Sequence, residues 1–151
     1  MRSIFCLLFI ALIGAPALAS DQFKTIESKY SVKESLDRLS AILTKKGIRV
    51  MARVDHAAGA KAAGLELAPT ELLIFGNPKL GTPLMQSNRL IGLDLPMKVL
   101  AWQDKDGKVR VSYTTPATLQ ARHNVTGRDK IFATMTKALG GLTGAAAGAK
   151  K

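Results

Sequence analysis

Apolar residues recur at helical spacing in the segment that follows Tyr30. Ser31 and Glu34 fit a capping box, in which each side chain accepts a hydrogen bond from the backbone N–H group of the other. The apolar stripe behind this cap consists of Val32, Leu36, Leu39, Ile42 and Leu43. Gly47 is typical of the residue that follows a helix. The pattern therefore predicts an amphipathic helix that packs one face against a core.

Other segments show the two-residue period of a β-strand or the unbroken apolar run of a buried one. The predicted strands are residues 23–29, 48–54, 71–75, 97–103 and 108–113. The first alternates weakly, which predicts an edge strand. The third ends in the unbroken run Leu72 to Phe75, which predicts a central strand buried on both faces. Asp106-Gly107 joins the last two strands as a tight hairpin.

Cap residues mark four further helices. They are a short alanine-rich helix capped by Asp55 and running to Gly64, a helix opened by Thr82-Pro83, a helix opened by Thr115-Pro116, and a helix capped by Thr126. The last helix carries Ile131, Phe132, Met135 and Leu139 on one stripe. Gly140-Gly141 predicts its end, and residues 140–151 are expected to be a flexible, small-residue tail that ends in two lysines.

This order of elements predicts one two-layer α+β domain over residues 20–139, with a mixed or antiparallel sheet covered by helices. The 151-residue length is consistent with one modest domain, and 47% hydrophobic residues supply a core. No internal repeat is present.

The N-terminus has the three parts of a secretory signal peptide. Arg2 precedes an apolar run over residues 4–13, and Ala17-Leu18-Ala19 forms a small-residue cleavage box. The run is too short to cross a bilayer, which takes about 20 apolar residues. We expect cleavage after Ala19, which makes the mature protein periplasmic or secreted and leaves no membrane span. Cleavage also removes the single cysteine, Cys6, and lowers the net charge from +11 to +10.

Residues 55–123 resemble the domain of unknown function 302 family. The matching words include Asp55-His56, Phe75-Gly76-Asn77-Pro78-Lys79, Gly81-Thr82-Pro83-Leu84-Met85, Leu93-Asp94-Leu95-Pro96 and Arg122-His123, together with Lys98, Trp102, Asp106-Gly107 and Ser112-Tyr113. Many short sequence motifs that match in the same order are far more specific than one such motif alone. The resemblance implies an α+β domain that is often a homodimer, and it implies no established activity.

The two histidines, His56 and His123, are the candidate acid–base residues, with Asp55 or Asp94 nearby. The alternative interpretation is structural: Asp55 caps a helix, His56 lies in its first turn, and His123 ends another helix where a cation is favoured. We favour the structural interpretation. Histidines 67 residues apart fit no metal-ligand spacing, so we predict neither a metal nor a cofactor.

The segment from Phe75 to Pro83 is the most site-like part of the chain. A strand leads through glycines into a helix start, where free N–H groups together with Lys79 could bind an anion. The alternative is a buried turn that needs a positive φ at Gly76 and in which Asn77 makes side-chain to backbone hydrogen bonds. The sequence favours neither interpretation.

Trp102 and Tyr113 are the aromatic residues of the predicted hairpin. They could line an apolar pocket with Lys98 and Lys79 at its mouth, which would suit a small anionic or amphipathic ligand. The preferred alternative places them in the core or a dimer interface. The predicted ligand-binding set is Asn77, Lys79, Lys98, Trp102, Tyr113 and His123, with His56 beside it.

Dispersed charge and few aromatic residues argue against nucleic-acid binding. The leading hypothesis is therefore an exported, non-catalytic binding or interaction domain, expected to be a homodimer. The alternatives are a small hydrolase or isomerase that uses His56 or His123, and a purely structural dimer module.

Overall fold

Five strands form one antiparallel sheet in the computed structural model, which describes residues 22–149. The elements in chain order are β1 (Phe23–Ser28), α1 (Val32–Lys45), β2 (Arg49–Asp55), α2 (His56–Ala62), β3 (Thr70–Gly76), α3 (Pro78–Ser87), a 3-10 helix (Arg89–Leu93), β4 (Met97–Gln103), β5 (Val109–Thr114), α4 (Pro116–Arg122) and α5 (Asp129–Ala147). The predicted signal peptide, residues 1–19, lies outside the described residues.

The strand order is β1-β5-β4-β3-β2, and every neighbouring pair is antiparallel. Helices α1 and α5 pack against one face of this sheet. On β4, Val99 and Ala101 point to that face and are fully buried, whereas Lys98 and Trp102 alternate with them on the other face. The predicted two-layer α+β fold is confirmed, with a purely antiparallel sheet.

β1 lies at an edge of the sheet, as predicted, but the central strand is β4 and not β3. On β3, Leu73 and Phe75 are buried under the helices, while Leu72 and Ile74 on the opposite face are only half-buried. The prediction that this strand is buried on both faces is therefore wrong. An unbroken apolar run arises here because the outer face carries apolar residues without being covered.

At the starts of α1 and α2, the side chains of Ser31 and Asp55 act as the predicted N-caps. Ser31 Oγ accepts a hydrogen bond from the Glu34 N–H group at 3.2 Å, and Asp55 Oδ1 accepts one from Ala58 at 2.8 Å. The stripe of α1 is buried, with Leu36, Leu39 and Leu43 all fully buried. Burial of each such leucine contributes about 1.5–3 kcal/mol to stability.

Helix α3 begins at Pro78, earlier than the predicted opening at Thr82-Pro83. Asn77-Pro78 is also a cap followed by a proline, and Asn77 Oδ1 accepts a hydrogen bond from the Lys79 N–H group at 2.9 Å. Pro83 consequently lies inside the helix, where it lacks the N–H group of a regular turn. The sequence offered two equivalent starts, and the earlier one is used.

Helix α5 continues through Gly140-Gly141 to Ala147, so the predicted flexible tail over 140–151 is wrong for the described part, residues 140–149. The predicted cap at Thr126 is also not used, because α5 begins at Asp129 without a side-chain cap. Each interior glycine costs about 1 kcal/mol relative to alanine. Burial of the final turns outweighs this cost. The buried residues there are Leu142, Thr143, Ala146 and Ala147.

Long-range hydrogen bonds from Arg38 and Lys29 hold the end of α5 in place. The Arg38 guanidinium donates to the Ala146 carbonyl at 3.2 Å, and the Lys29 N–H group donates to the Ala147 carbonyl at 3.0 Å. The helix ends at Gly148, whose φ of 68° is a left-handed conformation. A Cβ atom at Gly148 would lie 2.8 Å from the Tyr30 ring.

Two glycine substitutions in α5 are expected to act in opposite directions. Gly148→Ala should lower the free energy of unfolding by about 1–3 kcal/mol, because a positive φ and the Tyr30 ring both oppose a side chain. Gly140→Ala is the matched control. A Cβ atom at residue 140 would have no other atom within 4 Å, so Gly140→Ala should raise the free energy of unfolding by about 0.5–1 kcal/mol. Urea unfolding measures both, and no effect from either would contradict an ordered helix after residue 139.

Candidate functional site

A cavity of about 310 Å³ opens between α3, α5 and the adjoining ends of β3 and β4. It is lined by Ile48, Met51, Phe75, Gly76, Asn77, Pro78, Leu80, Gly81, Thr82, Met85, Leu95, Pro96, Met97, Met135, Ala138, Leu139 and Leu142. Ligand pockets in proteins begin at about 300 Å³, so this one is large enough for a small organic molecule.

The cavity has two parts that differ in polarity. The buried lining residues, here called the floor, are Phe75, Met97, Met135, Leu139 and Leu142. The exposed ones, here called the rim, are Met51, Asn77, Pro78, Thr82, Pro96 and Ala138. Both polar side chains of the lining, Asn77 and Thr82, belong to the rim. The cavity therefore changes from apolar at its base to partly polar at its opening.

Close approach of two backbone segments shapes one wall. Gly76 ends β3 against Pro96, and a Cβ atom at Gly76 would lie 3.2 Å from the Pro96 Cβ atom. A larger residue would push these segments apart, so glycine is needed here for the contact itself. Gly76 is not one of the glycines with a positive φ, so the prediction that this turn needs a positive φ at Gly76 is wrong.

Four methionines line the cavity: Met51, Met85, Met97 and Met135. They are all the methionines of the chain after Met1. Methionine is unbranched and has three rotatable bonds, so it can adjust to occupants of different shape. No local sequence pattern reveals this group, because the four residues belong to different elements. Their scarcity elsewhere in the chain was the one available signal.

The start of α3 does not offer the free N–H groups that the anion interpretation requires. The Lys79 N–H group donates to Asn77 Oδ1, and those of Leu80 and Gly81 both donate to the Asn77 carbonyl at 3.0 Å. Pro78 has no N–H group. Asn77 is therefore the cap of this helix as well as a rim residue. Lys79 is exposed beside it.

Asp94 is the centre of a polar cluster beside the start of β4. Its carboxylate accepts a hydrogen bond from His123 Nε2 at 2.6 Å. Arg122 Nη1 donates to both carboxylate oxygens, to Oδ2 at 3.0 Å and to Oδ1 at 3.1 Å. Lys98 Nζ donates to the Asp94 carbonyl at 3.0 Å. Burial raises the pKa of Asp94, but the hydrogen bonds from His123 and Arg122 outweigh it and hold the pKa below its usual value. The Asn88 amide donates to the His123 carbonyl at 2.8 Å.

His123 is thus packed into the fold with Asp94 as its partner, while His56 and Asp55 lie elsewhere. In the sheet, Asp55 on β2 lies opposite Glu71 on β3, and Glu71 lies opposite Ala101 near the far end of β4. His56 is exposed in the first turn of α2. The two histidines therefore do not form one acid–base site.

Asp94 and Lys98 line a second, smaller cavity of about 200 Å³ with Leu93, Met97, Thr114 and Leu119.

Trp102 and Tyr113 lie on opposite faces of the sheet, so the predicted pocket that contains both is wrong. Trp102 pairs with Arg110 and donates its indole N–H to Ser112 Oγ at 3.0 Å on the outer face. Tyr113 lies under the helices, where burial raises its pKa and a hydrogen bond with Thr143 opposes that rise. Of the predicted ligand-binding residues, Asn77 alone lines the larger cavity.

Within residues 22–149, no group of three or more His, Cys, Asp or Glu residues lies close enough together to hold a metal ion. The same part of the chain contains no helix with the length and hydropathy that crossing a bilayer requires.

Comparison with known proteins shows similarity to solved structures and to curated sequences. An uncharacterized conserved protein DUF302 from Bacillus stearothermophilus has the same fold, with a TM-score of 0.76 at 22% identity, covering 84% of this chain and 99% of that one.

The curated relatives are named fluoride-specific ion channels. "Fluoride-specific ion channel FluC 1" of Brucella suis biovar 1 (strain 1330) is 50% identical over 125 residues, which is 82% of this chain and 49% of that protein. The protein of the same name from Brucella abortus biovar 1 (strain 9-941) is also 50% identical, with 46% of its length covered. The chain spans about half the length of these relatives.

A family model settles the family independently of these names. The model described as "Domain of unknown function DUF302" matches residues 24–142, which include every strand except the first residue of β1, and all of the cavity lining. The chain belongs to the DUF302 family.

Proposed function

We propose that this protein is an exported, non-catalytic binding domain whose site is the cavity between α3 and α5, and whose ligand is a small amphipathic molecule. The observation that carries the proposal is the cavity itself, with a buried apolar floor and an exposed rim that holds both polar lining side chains. The volume of about 310 Å³ equals that of roughly ten water molecules. An apolar body would replace water that the floor cannot hydrogen-bond.

The methionines support ligand binding over a purely structural role. A structural core favours well-defined side chains that fill space without voids. Here four flexible side chains surround a space that is open at the rim. The same four sulfurs could in principle ligate a soft cation such as Cu(I). We favour the apolar ligand because no carboxylate lines the cavity to balance a cation.

The expected assembly is a homodimer, which light scattering on the mature protein would test. The support is the outer face of the sheet, where Leu72, Ile74, Leu100 and Trp102 are only half-buried. Apolar residues in such positions are typical of protein contacts.

The cavity predicts a specific effect of a large residue on α5. Ala138 is an exposed rim residue, so Ala138→Trp can fill the opening without displacing the core. Calorimetry with 1-octanol and octanoate should show that wild-type protein binds and that Ala138→Trp weakens binding at least about tenfold, or about 1.4 kcal/mol. Ala133→Trp is the matched control, because Ala133 is exposed on the same helix outside the cavity. Absence of wild-type binding, or equal binding by Ala138→Trp, would contradict the proposal.

The structural interpretation of His123 predicts a pH-dependent stability effect. The Asp94 pKa is lowered by folding, so this carboxylate stabilises the folded state above its unfolded pKa of about 3.9, and the contribution is lost as the pH falls through the folded pKa. Asp94→Asn should therefore cost about 1–3 kcal/mol at pH 7, and less below about pH 4.

Urea unfolding at both pH values provides the measurement. Asp106→Asn is the control, because Asp106 is an exposed residue of the hairpin turn that pairs only with the neighbouring Lys105, and it should change stability little at either pH. A cost for Asp94→Asn that is the same at pH 7 and pH 3 would count against the Asp94 contacts as the cause.

A second candidate function comes from the curated relatives, which contain a segment 50% identical to this chain within proteins named fluoride channels. We propose that the domain can also serve as an accessory in fluoride handling. A strain that lacks this chain should stop growing at a lower fluoride concentration than its parent, and the full-length chain supplied in trans should restore growth. Chloride at the same concentrations is the control. Equal growth in fluoride would reject this candidate.

A further inference from the structure

No described residue that lines the larger cavity carries a charge. The lining consists of aliphatic side chains, methionines, prolines, glycines, Phe75, Asn77 and Thr82. An ion that leaves water for such surroundings loses hydration and gains no opposite charge in return, so the lining disfavours anions and cations alike. The net charge of the chain is +11, which on its own would favour anions. The lining and the net charge therefore make opposite predictions about the ligand.

The two polar side chains of the lining each keep a hydrogen-bond donor that has no partner within residues 22–149. Asn77 Oδ1 accepts the capping hydrogen bond from the Lys79 N–H group at 2.9 Å, whereas Asn77 Nδ2 donates to no protein atom in this range. The Thr82 hydroxyl likewise makes no hydrogen bond within this part of the chain. Because the cap identifies the oxygen of the Asn77 amide, the NH2 group is the part that remains for a ligand.

The cap of α3 also orders Asn77 before a ligand arrives. Its side chain is held by the Lys79 N–H group, and its carbonyl accepts from the N–H groups of Leu80 and Gly81 at 3.0 Å. A donor that is already ordered loses less side-chain freedom when it binds a ligand. These backbone N–H groups are themselves used, so the donors that this side of the opening offers belong to the side chains of Asn77 and Thr82.

The absence of charge in the described lining and the two spare donors together specify a ligand class. We propose that the cavity selects uncharged molecules that consist of an apolar body and a hydrogen-bond acceptor, such as a ketone or amide oxygen. The apolar body lies on the floor, and the acceptor lies on the α3 side of the rim, where Asn77 Nδ2 or Thr82 Oγ1 donates to it. This inference rests on the proposed function, because it names the ligand class of the same cavity.

Three ligands of the same shape test the exclusion of charge: 2-nonanone, octanoate and octanamidinium. Each carries a heptyl chain on a planar end group, which is uncharged in the ketone, negative in the carboxylate and positive in the amidinium. Calorimetry with the mature protein near pH 8 keeps the carboxylate ionised. We expect 2-nonanone to bind at least about tenfold more tightly than either ion. If the net charge of the chain controlled binding, octanoate would bind most tightly and octanamidinium most weakly.

Asn77→Asp tests the assignment of the donor. Aspartate is as good a helix cap as asparagine, so the oxygen that accepts from Lys79 is kept, while the NH2 group is replaced by a charged oxygen. We expect 2-nonanone to bind about tenfold more weakly and octanamidinium more tightly than in wild-type protein, which reverses their order. The matched control is Asn124→Asp, which makes the same change of charge at an exposed residue outside the cavity lining. This control should keep the wild-type order.

Thr82→Val provides a second variant that does not alter the cap. Valine keeps the shape of the side chain and removes its hydroxyl group. We expect this change to weaken 2-nonanone binding by about threefold, since one hydrogen bond to an uncharged group is lost, and to leave octanamidinium binding unchanged.

The outcomes separate this inference from the proposed function. If octanoate binds wild-type protein as tightly as 2-nonanone, the exclusion of charge is wrong and the apolar site stands. If neither Asn77→Asp nor Thr82→Val weakens 2-nonanone binding, the donors are wrongly assigned and the inference again fails without the site. If 2-nonanone and 1-octanol both fail to bind wild-type protein, the proposed function is overturned together with this inference.

Discussion

The packing of α5 on the sheet is the contact on which the rest of this structure depends. Its first half supplies Met135 and Leu139 to the cavity floor, and its second half buries Leu142, Ala146 and Ala147. The end of the helix also accepts hydrogen bonds from Arg38 on α1 and Lys29 after β1. Because one helix forms a cavity wall and ties the two ends of the domain together, the cavity cannot be separated from the stability of the fold.

The sequence predicted those features that local chemistry determines. Caps at Ser31, Asp55 and Thr115, the β4–β5 hairpin and the α+β class all follow from short-range rules. Two of the wrong helix boundaries, the start of α3 and the end of α5, arise where local rules give no unique answer. Asn77-Pro78 and Thr82-Pro83 are equally good starts, and Gly140-Gly141 is a good end unless burial beyond it compensates. Tertiary packing made both choices, and packing is not visible in a local pattern.

The site was harder to predict than the fold, because it depends on strand register. The alternation along 97–103 and 108–113 correctly separates two faces in each strand, but it does not show which face of one strand lies on the same side of the sheet as which face of the other. The pairing of Leu100 with Ser112 puts Tyr113 on the side of Val99, opposite Trp102. A shift of one residue would have placed both aromatics together. Likewise, the floor methionines converge only after α5 crosses the sheet.

An open cavity has a cost that bears on its purpose. Side chains that line an empty space lose the dispersion contacts that a filled core would give them. Substituting one or two larger residues at the floor would remove this cost, yet the chain places flexible methionines there and glycines at the walls. Methionine can partly collapse into the space when it is empty and withdraw when it is filled. A purely structural module gains nothing from this arrangement, whereas a binding domain needs a space that can be filled.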